Sequence, residues 1–179
     1  MSKTAEDNSQ NSTTEKVTPL TLEESRKLLY QYCLAGNIKE VRNTIEKYKL
    51  DLDLDLEFTE ALVYTIRGTG TQKEKENILL YLDSLGVSLS IREKIALEWA
   101  IITNDLPLIK FLQNQGVDIV HDVQMHIFDA ALKKDTTILK YLVDQGTCVS
   151  DGFLKDLAEL DEPLPEDVMK IIGRCPIEG

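Results

Sequence analysis

The chain has 179 residues, 42% of them hydrophobic, with a formal charge of -11 and a pI near 4.7. Its length and apolar content suit one folded domain with a sizeable core. The excess of carboxylates argues against nucleic acid as a direct ligand, since that affinity comes from lysine and arginine displacing counterions.

No apolar run approaches the roughly 18 residues that span a membrane, and the opening stretch lacks the apolar segment of a secretory signal. Cys33, Cys148 and Cys175 are widely spaced and outside any C-x-x-C pattern, so neither a disulfide framework nor a zinc site is indicated. A reducing, cytoplasmic setting is the expectation.

Residues 1–20 are dominated by Ser, Thr, Asn, Glu and Lys, and are expected to form a disordered tail, because such a segment cannot offset the entropy of ordering. Thr21 and Glu24 have capping-box spacing and open a predicted helix through "LEESRKLLYQYCLA". "DLDLDLEF" (residues 51–58) puts acids at positions 1, 3 and 5 of a calcium loop, but Leu56 stands where a glycine and Leu62 where a glutamate would be needed. Its alternation suits a strand, yet nothing else reads as a pairing partner. It is therefore read as an extended connector. In "RGTGTQKEKE", Gly68 and Gly70 lack the G-x-x-x-x-G-K-[ST] spacing of a phosphate loop, so residues 68–76 are read as a solvent-exposed insertion.

Further along, Leu97, Ala100 and Ile101 share one helical face and Leu108, Ile109 and Leu112 another. Between them Asn104 or Asp105 can cap, Pro107 suits a first helical turn, and Gly116 suits a left-handed C-terminal cap. A shift of thirty residues lays this unit, "ALEWAIITNDLPLIKFLQNQGVDIV", over "HIFDAALKKDTTILKYLVDQGTCVS". The same shift sets Gly86 under Gly116, and places Val168, Met169 and Ile172 under Ile138, Leu139 and Leu142. With "CLAGNIKEVRNTIEKYKLD" at the front, five units result, at about residues 21–56, 57–90, 91–120, 121–150 and 151–179. A helical pair of this size cannot bury its own apolar face, so neighbours must stack.

"AGNIKEVRNTI", "ITNDLPLIKFLQNQGVD" and "KKDTTILKYLVDQGTC" resemble ankyrin repeats over most of the chain, although the T-P-L-H motif that orders the family's β-hairpin finger is missing. A tetratricopeptide array has a longer period and a W-x-x-L-G-x-x-Y pattern not found here. The resemblance implies an all-α solenoid of about five ankyrin-like helix-turn-helix repeats with short or missing fingers. It also implies a non-catalytic interaction module, without cofactor or metal, that binds and holds, masks or inhibits a protein partner through a concave face. Alternatives are an acidic dedicated chaperone or assembly factor for a basic protein, and an adaptor-like effector of a pathogen or virus. A monomer is the default.

The candidate contact residues follow from the same alignment. Trp99 matches Tyr64, Gln31 and Asp129 in other units, so this position accepts polar side chains and is not expected to be fully buried. Tyr64 and Trp99 on neighbouring units are read as an aromatic ridge, with edge packing between helices as the other account. Seven acids fall in residues 151–167 against Lys155 alone; among them Asp161, Glu162, Glu166 and Asp167 form either a solvated terminal cap or a docking site for a basic segment. His121 and His126 lie five apart, which is not a helical ligand spacing, and are read as surface or helix-start residues. Cys33 reads as core, and Cys148 as a partly exposed loop residue without the companions of a nucleophile.

Overall fold

The computed structural model describes residues 20–50, 55–86, 89, 93–120, 124–132 and 136–178. The expected tail up to residue 19, residues 51–54 of the acidic connector and His121 lie outside the described residues.

Local polar chemistry starts the helices where the sequence places caps. Thr21 accepts from the Glu24 amide at 3.2 Å while the Glu24 carboxylate accepts from the Thr21 amide at 2.8 Å, opening α1 (Leu22–Leu34). Asn37 caps α2 (Ile38–Tyr48), accepting from the Glu40 amide at 3.2 Å. After α3 (Asp55–Arg67), Thr71 and Glu74 repeat the capping box at the head of α4 (Gln72–Ser84). Then α5 (Glu93–Ile102) leads into α6 (Leu106–Asn114), capped by Asp105 and carrying Pro107 in its first turn. The remaining helices are α7 (Gln124–Leu132), α8 (Thr137–Asp144), α9 (Asp151–Ala158) and α10 (Glu166–Ile172).

Helix ends carry the thirty-residue period most plainly. Gly86, Gly116 and Gly146 terminate α4, α6 and α8, each with φ between 90° and 96°. At Gly116 the left-handed residue lets its own amide reach the Gln113 carbonyl, and the Val117 amide reach that of Leu112. This satisfies carbonyls that the helix leaves open.

The fold is all-α among the described residues, apart from β1 (Val149–Ser150) and β2 (Ile177–Glu178), which pair in parallel and so form no hairpin. Helices α1, α3, α5 and α7 pack in succession as one layer; α2, α4 and α6 do the same in a second, and α8 packs on α10. The core lies between the layers. Leu97, Ala100, Ile101, Leu108, Ile109 and Leu112 are all fully buried there, as their shared faces require. Helices α3 and α4 bury opposite flanks. Ala61, Ile78, Tyr81 and Leu82 join Leu29, Cys33, Val41 and Ile45 on one side, while Leu62, Ile66 and Leu79 join the units downstream. Each large aliphatic side chain buried in this way is worth about 1.5–3 kcal/mol.

Polar ties cross from unit to unit at nearly the same spacing. Lys75 pairs with Asp105 at 3.1 Å, the Gln113 amide donates to Gln145 at 2.8 Å, the Tyr141 hydroxyl donates to Gln113, and Arg174 pairs with Asp144. The first tie is shielded, with the Lys75 and Asp105 side chains only 12% and 16% exposed, so it outweighs an ordinary surface pair. Asp105→Ala removes both a cap and the partner of that lysine, and is expected to lower the unfolding free energy by about 2–3 kcal/mol. Asp105→Asn keeps the cap and should cost about 1 kcal/mol less. Urea unfolding of the two variants checks this: equal losses would mean that the cap contributes nothing, and an Asp105→Asn variant as stable as the native chain would mean the same of the ion pair.

Two expectations are corrected. Asp55 to Phe58 are not an extended connector but the first turn of α3. The insertion at residues 68–76 is not a solvent-exposed loop: Gln72 to Glu76 are helical, and the Thr69 amide donates to the Leu34 carbonyl at 2.8 Å, docking the turn on the end of α1. The extra residues lengthen α4 by about a turn, because Thr71 and Glu74 cap it early. Met169, which the thirty-residue shift sets on the buried Leu139, is itself half-buried, while Ile171 is buried.

Candidate functional site

The first-helix layer brings aromatic and cationic side chains of three successive helices into one series. Tyr30 on α1 stacks on Tyr64 of α3, ring centroids 5.1 Å apart and planes 9° from parallel. One turn along α3, the Arg67 guanidinium lies 4.9 Å from the ring centre of Trp99 on α5. Tyr64 and Trp99 are both half-buried, as the polar residues at their aligned positions require, and Trp99 packs against the core at its edge. Each is held by a partner the sequence reading missed. Tyr30 was passed over because the alignment put Gln31 in its place. Counted from the caps, Tyr30 and Tyr64 each lie seven residues before Asn37 and Thr71, and that spacing was the available signal. Asp129, the aligned residue of α7, is half-buried in the same layer.

The acidic candidates stand at the other end of the chain. Asp161 and Glu162 lie in the turn between α9 and α10, and Glu166 and Asp167 in the first turn of α10; all four are exposed. Glu166 pairs with Lys170 at 2.7 Å on the surface. Glu162 and Asp167 meet at a groove of about 550 Å3 whose walls also include Ala131, Leu132, Leu164 and Val168. A second groove, of about 500 Å3, lies between α2 and α4, where the Arg42 guanidinium covers the Tyr81 ring at 4.1 Å.

His126 is a helix-start residue, in the first turn of α7, but not a surface one. It is buried, and its Nε2 lies 3.2 Å from the Lys94 carbonyl. The thirty-residue shift already set it on Ala96, a fully buried position, which was the overlooked signal. Among the described residues, no group of three or more His, Cys, Asp or Glu side chains is arranged to hold a metal ion, and no helix is long and apolar enough to cross a membrane.

The cysteines differ in reach. Burial pushes the Cys33 thiol up to about 12, opposed more weakly by hydrogen bonding with Thr65. Burial also raises Cys175, with nearby Cys148 adding to the shift. Cys148 is partly exposed. Alkylation near neutral pH, followed by peptide mass spectrometry, is expected to label Cys148 first and to leave Cys33 intact until the chain unfolds. Because the folded Cys33 keeps its proton longer than the unfolded thiol, its share of stability is complete below pH 9.0 and is lost as the pH climbs toward about 12. Labelling of Cys33 ahead of Cys148 would contradict this packing.

These surfaces can present aromatic, cationic and carboxylate groups to another molecule. Comparison of the chain with protein-family models, with curated proteins and with solved structures returns no match.

Proposed function

We propose that the chain is a non-catalytic, ankyrin-like protein-binding module that holds, masks or inhibits a protein partner across the exposed face of helices α1, α3, α5 and α7. One observation carries this reading: Tyr30, Tyr64, Arg67 and Trp99 run along successive helices of one layer, already paired by stacking and cation–π contact. Aromatic and arginine side chains dominate binding hot spots, and groups held in place lose little rotamer freedom on binding. The stacking of like helices in two layers, and left-handed glycines thirty residues apart, support a repeat of ankyrin type. Such a layer offers the face that the family resemblance makes concave.

The test is affinity capture at high salt with the native chain and with a Tyr64→Ala/Trp99→Ala variant of matched circular dichroism. The native bait should enrich a partner that the variant loses. A partner held equally by both baits would sink the assignment of this face.

The four exposed carboxylates Asp161, Glu162, Glu166 and Asp167 favour a second reading, an acidic chaperone or assembly factor for a basic protein. Release of the partner by salt, rather than by loss of the aromatics, separates it from the first.

A further inference from the structure

A groove lies beside the end of α7, walled on its other side by the segment that leads from α9 into α10. Helices α1, α3, α5 and α7 each bury a flank against the next, and α9 buries Phe153 and Leu157 in the same core as Ile127, Ala130 and Ala131 of α7. The chain approaches α10 through Glu162, Pro163, Leu164 and Pro165, and prolines two residues apart keep this wall of the groove from being helical. Leu132, at the end of α7, is left 56% exposed at the groove, and Met125 on the same helix is 66% exposed. Leu and Met at i and i+7 fall on one helical face.

Charge narrows the occupant. The groove combines an apolar floor, from Ala131, Leu132, Leu164 and Val168, with the exposed carboxylates of Glu162 and Asp167. A second copy of the chain would bring a molecule of charge -11 against these acids, and nucleic acid or an anionic lipid surface would be repelled likewise. A cationic segment is attracted, and the apolar floor rewards one that also carries an apolar side chain. We infer that this groove binds a short basic segment of a protein partner, seating one bulky apolar side chain against Leu132 and Leu164 while flanking lysines or arginines face Glu162 and Asp167. The assignment rests on the reading of the chain as a protein-binding module, but it concerns a surface separate from Tyr64 and Trp99.

Fluorescence anisotropy on the full chain tests it with three labelled synthetic peptides: a leucine pair flanked by lysines, the same peptide with serines for the leucines, and the same with glutamates for the lysines. The first should bind at low salt, and the other two at least about tenfold more weakly. Glu162→Gln/Asp167→Asn should weaken the first peptide by about tenfold, an effect that shrinks as salt rises. Leu132→Ser should weaken it by a similar factor that salt does not remove. The charge-matched control Glu60→Gln/Glu98→Gln should leave binding unchanged, and all variants are first matched by thermal melting.

If the control loses as much as the groove variant, attraction is diffuse and the groove is not the site. If the serine peptide binds as well as the leucine peptide, no apolar anchor is seated and the inference fails. Should sedimentation show a dimer that Leu132→Ser dissociates, the occupant is a second copy. Loss of peptide binding in Tyr64→Ala/Trp99→Ala alone would move the site to the first-helix layer. Failure of the high-salt capture with intact peptide binding would instead overturn the aromatic-face reading and leave this one standing.

Discussion

Gly36→Ala is expected to lower the unfolding free energy by about 3 kcal/mol, a large loss for the addition of one methyl group. Gly36 has φ of 74°, and a Cβ there would sit 2.7 Å from the Gly70 Cα and 3.2 Å from the Glu74 Cβ. The turn joining α1 to α2 and the turn joining α3 to α4 therefore touch backbone to backbone. The Thr69 amide fixes that contact through the Leu34 carbonyl, and a Cβ at Gly68 would lie 2.5 Å from the same oxygen. Left-handed strain contributes about 1–2 kcal/mol and overpacking about 1–3 kcal/mol.

Gly116 supplies the comparison. It has φ of 90°, but nothing lies within 4 Å of an added Cβ, so Gly116→Ala should show only the strain, about 1–2 kcal/mol. Gly70→Ala, whose Cβ would meet the Gly36 Cα at 2.8 Å, should show chiefly the overpacking. Urea unfolding of all three variants measures the difference, and equal losses for Gly36→Ala and Gly116→Ala would show that the two turns are not in contact. Hydrogen exchange should place the damage of Gly36→Ala in α1 to α4, because neighbouring units share the interface that is lost.

Trp99→Ala is expected to weaken partner binding by about 2 kcal/mol, or roughly thirtyfold, with little dependence on salt. Part of that loss belongs to Arg67. Without the ring beneath it, the guanidinium gives up a cation–π contact worth about 0.5–1 kcal/mol and is no longer held in position. A double-mutant cycle with Arg67→Ala should therefore show coupling, each single change removing part of what the other removes. Since Trp99 also packs at the edge of the core, Trp99→Phe is the needed companion. It keeps most of the packing, and should retain stability while still costing affinity. Isothermal titration with the captured partner decides: unchanged affinity in Trp99→Ala would remove this residue from the interface, leaving its ring as an element of inter-helix packing.

Much of the local structure was legible because it depends on neighbours in the chain. Thr21 with Glu24 and Asp105 before Pro107 announce helix starts through hydrogen bonds that span three residues. Gly116 and Gly146 announce helix ends because the left-handed region costs other residues energy. Where the reading failed, a competing local signal was taken at face value. The alternation from Asp51 suggested extension, yet Asp55 opens α3. The glycines of "RGTGT" suggested a free loop, yet their lack of side chains serves close approach to α1.

By itself the sequence determined the helix pairs, their thirty-residue period, the alternation of apolar faces and the acidic character of the last unit. These follow from periodicity, capping and charge, which act within a few residues. Only the tertiary structure decided that Tyr64 takes Tyr30 and Trp99 takes Arg67, that Lys75 reaches Asp105, and that Glu162 and Asp167 share a groove with Leu132. Those partners sit on different helices, and which side chains meet depends on how neighbouring helices rotate and slide to fill a common core. That choice is made by packing between units and leaves no mark on the spacing within any one of them.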